Sequence, residues 1–373
     1  MILRSQVSLF GYRWIQYREC QFAGCQTWSL IMVRRVMLIG LCSLFSGLSP
    51  MAAQDATQSP QVKVHKIAVG GEGGWDYLTV DSEARRLYVS RGNRVVIIDL
   101  DKETVVGELA DTPGIHGIAL APELGKGFTS NGGDGTVTVF DINSLKATSK
   151  SEARGVPDAI LYDSFSKRVF TFNHKTDDAT AIDAVSGTVV GTISFDAEPE
   201  AAVADGKGHI FVNLRSTSEI AEFDAMSLKV LNRWPLAPGI RPNGLGFDAK
   251  HRRLFSTCGN QTMVIMDADK GTVLGTAEIG KGSDGCVFDP GIGMAYSSNG
   301  DGTITAVRET EAGKFTVVST ITTQPGARTM AIDPKSHRLY LSAATIAPTS
   351  GQPQGTGRRN YVPGSFVILV VGE

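Results

Sequence analysis

Cysteine is scarce in this chain: five in 373 residues, and three of them, Cys20, Cys25 and Cys42, fall within the first 42 positions. Only Cys258 and Cys286 remain in the body, and neither has a histidine or second cysteine at metal-finger spacing, which excludes a zinc-finger architecture. They close strands of neighbouring repeats, so the alternatives are a disulfide in an oxidising compartment or two half-buried thiols packing as small apolar groups. A surplus of either charge is equally lacking, with 36 Lys and Arg against 38 Asp and Glu. Residues 1–53 hold five Arg and one Glu, so the remainder carries 31 basic and 37 acidic residues, a net of −6. Phosphate backbones are bound by clustered cations that displace counterions, so a mildly acidic body without a basic stripe argues against nucleic acid as a partner. Long apolar runs are missing too. The run from Val36 to about Leu48 falls short of the roughly 20 residues that a spanning helix needs.

That run does have the build of a bacterial secretory signal. Met32-Val-Arg-Arg gives a basic start, the apolar stretch follows, and small residues lie near Ala53. The reading is therefore a signal over 32–53, a mis-assigned start over 1–31 with Met32 as the true first residue, a linker over 54–60, and one domain over 61–373. Arg34-Arg35 matches the twin-arginine pattern only in part, and Cys42 follows Leu41 rather than a small residue, which argues against a lipoprotein. Signal cleavage implies a periplasmic or secreted protein, expected to be a monomer with no stable membrane insertion.

What the body does have is a repeat. A polar residue is followed five positions on by an anchor, usually Asp, and seven beyond that by an aromatic in an apolar strand. The anchors are Asp81, Ala121, Asp163, Asp205, Asp248, Asp289 and Asp333, at steps of 40, 42, 42, 43, 41 and 44 residues. The aromatics are Tyr88, Phe128, Phe170, Phe211, Phe255, Tyr296 and Tyr340, of which only Phe211 is displaced, by one position. This period fits one four-stranded blade per repeat, and seven repeats predict an all-β, seven-bladed β-propeller of antiparallel blades. In blade 1 the strands are predicted at Leu78–Asp81, Arg86–Ser90, Val95–Asp99 and Thr104–Leu109. The third strand closes on Asp99, Asp141, Asp183, Asp224 and Asp267 in the first five blades, each read as a turn residue that accepts from its own backbone. The last repeat supplies only three strands. The orphan strand Val62–Val69 is expected to complete that blade and close the ring, hiding two sheet edges that would otherwise invite aggregation.

The repeat also locates a candidate site. In antiparallel blades the start of the inner strand and the end of the second strand share one face, so both can line a funnel. Five residues before each anchor stand Asp76, His116, Asp158, Glu200, Asn243, Asp284 and Arg328, all polar, and five of these seven are charged in a chain that is 20% charged. At the second strand's end stand Arg91, Asn131, Asn173, Asn213, Cys258, Asn299 and Ala343, read as a second, wider ring whose asparagines face the funnel. Asn131 and Asn299 lie in Ser-Asn-Gly-Gly-Asp-Gly-Thr and Ser-Asn-Gly-Asp-Gly-Thr, read as tight hairpin turns rather than calcium loops. Carboxylates crowded at one mouth repel unless a cation or basic ligand neutralises them. Asp158, Glu200, Asn243 and Asp284 offer the oxygen donors that suit Ca²⁺, Mg²⁺ or Mn²⁺, and adding His116 would tilt the choice toward a transition metal. No other cofactor is indicated. His116 and Arg328 are the alternative catalytic pair, as general base and anion clamp. His174 and His209 are assigned no role. The glycines of Val-Gly-Gly-Glu-Gly-Gly-Trp-Asp (69–76) are not followed by a helix that could receive a phosphate, so they are not a nucleotide fingerprint. A long polar loop over 343–365 is either mobile or a cover for the mouth.

Arg85-Arg-Leu-Tyr-Val-Ser, Pro157-Asp-Ala-Ile-Leu-Tyr-Asp, Pro199-Glu-Ala-Ala-Val-Ala-Asp and Gly326-Ala-Arg-Thr-Met-Ala-Ile-Asp resemble the repeats of YncE-like, YVTN-repeat β-propellers, from about Val62 to the C-terminus. The resemblance implies an exported bacterial seven-bladed propeller, in a family whose members have been linked to DNA binding. One propeller scaffold hosts many chemistries, so function has to be argued from the mouth. The first reading is a binding or interaction module that takes a small molecule or protein partner at the funnel face. The alternative is a metal-assisted hydrolase or isomerase of lactonase type using the same funnel.

Overall fold

The structure is a computed structural model, described here for residues 62–348 and 360–372. The expected signal and linker, and residues 349–359 of the polar loop, lie outside the described residues. Among those described, 28 strands form seven four-stranded antiparallel sheets, with one three-residue 3₁₀ turn as the only helix. No helix among them is long and apolar enough to cross a membrane. Blade 1 runs Leu78–Asp81, Arg86–Arg91, Arg94–Asp99 and Thr104–Leu109, following the predicted plan to within a residue at each strand end. Asp99, Asp141, Asp183, Asp224 and Asp267 each accept from the backbone two residues on, at 2.9–3.2 Å.

The seven aromatics are all at most 8% exposed, and each is packed in a cluster with the following blade. Tyr88 of blade 1 meets Ile115, Ile118 and Phe140 of blade 2, while Tyr340 of blade 7 meets Leu78, Leu87 and Val96 of blade 1. A residue at a fixed place in the repeat therefore makes every blade-to-blade seam. Burying one such ring stabilises by roughly 2–3 kcal/mol. Closure is as expected: the strand Val64–Ala68 pairs antiparallel with Val367–Val371, from Val64 opposite Val371 to Ala68 opposite Val367. It completes a sheet whose remaining strands are Arg338–Ala343 and Met330–Asp333. Cys258 and Cys286 are buried free thiols.

Three anchor carboxylates also tie their blade to the next one. Asp205 accepts from Arg252 at 2.9 Å, Asp289 lies 2.8 Å from His337 Nδ1, and Asp333 accepts from Ser82 at 2.6 Å and Arg85 at 2.5 Å. Burial alone would raise the Asp333 carboxyl, but the hydroxyls of Ser82 and Ser336 and the Arg85 guanidinium hold it down at about 2. A carboxyl depressed by folding stabilises above its unfolded value, near 3.9, and loses that contribution as pH falls through its folded value. Asp333→Asn is accordingly expected to cost about 2 kcal/mol in urea unfolding at pH 7, with the deficit shrinking as pH falls from about 4 toward 2. A deficit that stayed constant over that interval would show that the charge of Asp333 plays no part.

Candidate functional site

The mouth is built by a backbone irregularity that recurs in blades 2 to 6. In each inner strand the pairing register slips by one residue, between Ile115 and Ile118, Pro157 and Ile160, Pro199 and Ala202, Pro242 and Leu245, and Ser283 and Cys286. The two residues inside each bulge face one on the partner strand, and the first of them is always the polar one: His116, Asp158, Glu200, Asn243 or Asp284. Bulges re-aim side chains out of the pleat, which turns this column toward the funnel. The second bulge residue is Gly117, Ala159, Ala201, Gly244 or Gly285, because the inner strands approach closely there. A Cβ on Gly244 would lie 2.4 Å from the backbone N of Cys286.

The polar column forms a chain of alternating charge. His116 Nδ1 lies 2.7 Å from Asp76 Oδ2 and 2.9 Å from Asp158 Oδ1. His174 Nε2 lies 2.9 Å from Asp158 Oδ2 and 3.2 Å from Glu200 Oε2, and Arg215 Nη1 is 3.0 Å from that same Glu200 oxygen. Across the mouth, Arg328 Nε faces Asp284 Oδ2 at 3.7 Å. Burial lowers the imidazole of His116, but Asp158 and Asp76 outweigh it and push it up to about 10; Asp158 and Glu200 do the same for His174. Burial would raise the Asp158 carboxyl, and the two imidazoles beside it hold it below the usual range instead. Burial raises Asp284, against the pull of Arg328.

These contacts revise several expectations. Of the oxygen set Asp158, Glu200, Asn243 and Asp284, only the first two converge; Asn243 donates its amide to the Ser283 carbonyl at 2.7 Å, and Asp284 faces Arg328. His116, His174, Arg215 and Arg328 stand among the carboxylates as basic neighbours. His116 lies between two acids, Asp76 and Asp158, which favour its protonated form in this arrangement. His174, assigned no role from the sequence, is central to the ring. His209 stays outside, paired with Glu222 on the blade.

The second ring is not a lining. Asn131, Asn173, Asn213 and Asn299 are wholly buried. Asn131 accepts from Thr129 at 2.9 Å and donates to Thr136 and Thr138 at 3.0 and 2.9 Å; Asn173 and Asn299 clip their hairpins in the same way. Asn213 donates to the carbonyls of Asn243 and Gly244 at 2.8 and 3.1 Å, holding the neighbouring bulge. Each amide satisfies donors and acceptors that burial would otherwise strand. Arg91 is also buried, and its guanidinium donates to the carbonyls of Gly70, Gly71, Gly73 and Gly74. The glycine-rich stretch therefore turns its C=O groups on a cation, the reverse of a phosphate loop.

Tyr77 is the largest feature that the sequence reading missed. It comes from blade 1 yet packs against the buried cluster of blades 3 and 4, so its ring crosses the axial channel. Burial, and then the charges of Asp158, Glu200, Asp76 and Asp284, drive its phenol well above the ordinary value, as befits a group set among four acids. Inner-strand residues of all seven blades line a cavity of about 170 Å³ at this level.

No family model matches the chain, and no curated protein resembles it significantly. Solved structures do. A structure of U3-55K superposes with a TM-score of 0.69 at 7% identity, covering 83% of this chain and 98% of that one. The crystal structure of a mitotic checkpoint complex gives 0.65 at 14% identity, covering 83% and 95%. At such identities the likeness shows the fold alone, and what it shows is a seven-bladed, WD40-like β-propeller.

Proposed function

We propose that this chain is an exported, YncE-like propeller that works as a binding module and takes a small charged ligand at its mouth. The observation that carries this is the bulged column: five blades spend a backbone irregularity on re-aiming a polar side chain at one point, over a floor made by Tyr77. The cavity of about 170 Å³ is smaller than the roughly 300–1,000 Å³ of pockets that enclose an organic ligand, so the ligand sits on the ring rather than inside the channel. The ring of alternating acids and bases favours zwitterions over nucleic acid, which needs clustered cations. The described ends of the polar loop lie beside the ring: Ile346 pairs with Tyr361, whose ring is 4.5 Å from Trp75, the neighbour of Asp76. That placement supports the cover reading of the loop. A second reading, metal-assisted hydrolysis or isomerisation of a lactone-type substrate, is favoured by the two His–carboxylate groups of the ring.

A thermal-shift series with Ca²⁺, Mg²⁺, Mn²⁺, Zn²⁺, gluconate, citrate and spermidine tests the proposal, comparing the native chain with the Glu200→Gln, Asp284→Asn double variant. A ligand at 100 times its Kd stabilises by about 2.7 kcal/mol, a Tm rise of several degrees. At least one compound is expected to produce it, with half or more of the rise lost in the variant. No shift with any of them, or equal shifts in both proteins, would overturn the proposal.

A further inference from the structure

We infer that the mouth ring is a two-metal site in which Asp158 bridges a pair of divalent transition-metal ions. This rests on the binding-module reading and names the ligand. The first ion is held by Asp76 Oδ2, His116 Nδ1 and Asp158 Oδ1, the second by Asp158 Oδ2, His174 Nε2 and Glu200 Oε2. Within each set the three donor atoms lie within 4.8 Å of one another, and the nitrogen-to-oxygen separations are 2.7, 2.9, 2.9 and 3.2 Å. Donors on adjacent positions of an octahedral ion, with bonds of about 2.1 Å, stand about 3 Å apart, so the side chains already have the spacing that an ion requires.

Hydrogen bonding leaves this arrangement incomplete. Asp158 is only 6% exposed, and its Oδ1 makes no aligned hydrogen bond: its neighbour at 2.9 Å, His116 Nδ1, lies nearer to Asp76 Oδ2, at 2.7 Å. His174 Nε2, set between two carboxylates, makes no aligned hydrogen bond either. One proton shared between two oxygens serves each with poorer alignment, whereas a cation at the same point serves all three donors. A buried carboxylate oxygen that shares its imidazole neighbour with a second acid is unusual enough to need a reason. The two oxygens of Asp158 point to different imidazoles, which is the disposition of a bridging carboxylate, and paired ions so bridged sit about 3.5–4 Å apart.

The donor chemistry selects the ion. One imidazole and two carboxylates per site suit Mn²⁺, Fe²⁺, Co²⁺ or Zn²⁺ better than Ca²⁺ or Mg²⁺, which prefer all-oxygen shells. Asp76 and His116 keep 24% and 34% of their side chains exposed, which leaves coordination positions open toward solvent for a third party.

The untagged full chain, stripped with EDTA and titrated with Mn²⁺, is expected to take up two ions by calorimetry and elemental analysis. Its electron paramagnetic resonance spectrum should be that of an exchange-coupled pair. Asp158→Asn should weaken uptake at least tenfold and abolish the coupling. His174→Gln should retain one uncoupled ion on Asp76, His116 and Asp158, which keeps the test decisive if Asp158→Asn does not fold. His209→Gln should change nothing. One ion or none in the native chain, two ions without coupling, or coupling that survives Asp158→Asn would each overturn the inference. A chain that takes no Mn²⁺ but is still stabilised by gluconate, citrate or spermidine through Glu200 and Asp284 would lose the metal pair and keep the binding module.

Discussion

Ile67→Asp is expected to unfold the propeller or leave it soluble only as aggregates. Ile67 is 3% exposed, the one buried residue of the strand that completes blade 7, and it packs with residues of blades 1 and 7. A carboxylate there has no cationic partner in the cluster and would either be buried at a cost of several kcal/mol or pull the strand off the sheet. Detachment exposes the edge of Val367–Val371, an apolar strand with a full row of unpaired backbone groups. It also removes the one pairing that joins the two ends of the domain. Val64→Thr, on the solvent side of the same strand, should stay within about 0.5 kcal/mol of the native chain. Circular dichroism and size-exclusion chromatography of both variants check this. A folded, monomeric Ile67→Asp protein with native Tm would mean that closure does not depend on this strand.

Arg91→Met is expected to cost about 1.5–3 kcal/mol. The guanidinium donates to four glycine carbonyls and lies 4.2 Å from the centre of the Phe366 ring, so it fastens the stretch before blade 1 to blade 7. Methionine fills a similar volume but forfeits those charged bonds; Gly71, Gly73 and Gly74 are exposed, so water takes over part of the cation's role at their carbonyls, and Gly74 keeps the amide of Gly92. Arg91→Lys should recover only part of the loss, since an ammonium lacks the planar fork that reaches several carbonyls at once. Urea unfolding measures both variants. Loss of under 1 kcal/mol for Arg91→Met would show that the loop holds without its cation.

The fold was legible because its determinants recur. Seven copies of an anchor and an aromatic give a signal that no single blade would carry, and the missing fourth strand of the last repeat pointed to Val62–Val69. The ring was legible in part. The column of Asp76, His116, Asp158, Glu200, Asn243, Asp284 and Arg328 stood out by polarity, but partners across blades depend on side-chain direction, which spacing does not contain. Asn131, Asn173 and Asn299 show the limit: recurrence at one repeat position marked them as a ring, when it marks them as a structural clip repeated blade by blade. His174, Arg215 and Tyr77 carried the opposite signal. The residue just past the second strand is Gly92, Gly132, Gly259, Gly300 or Ala344 in the other blades, and the residue four before the anchor is otherwise Gly117, Ala159, Ala201, Gly244, Gly285 or Thr329. A large side chain in a column of small ones was the mark of the site.

The bulges have a consequence for how such a mouth changes over time. Because the first bulge residue is turned out of the pleat, its side chain is excused from the seam between blades, which the aromatic holds from elsewhere. Five positions around one axis can thus be rewritten singly, each from its own codon, without renegotiating the scaffold. The propeller behaves like a keyboard whose keys are independent of the frame, and a neighbour in sequence space with a different set of five letters would present a different mouth while remaining the same solid.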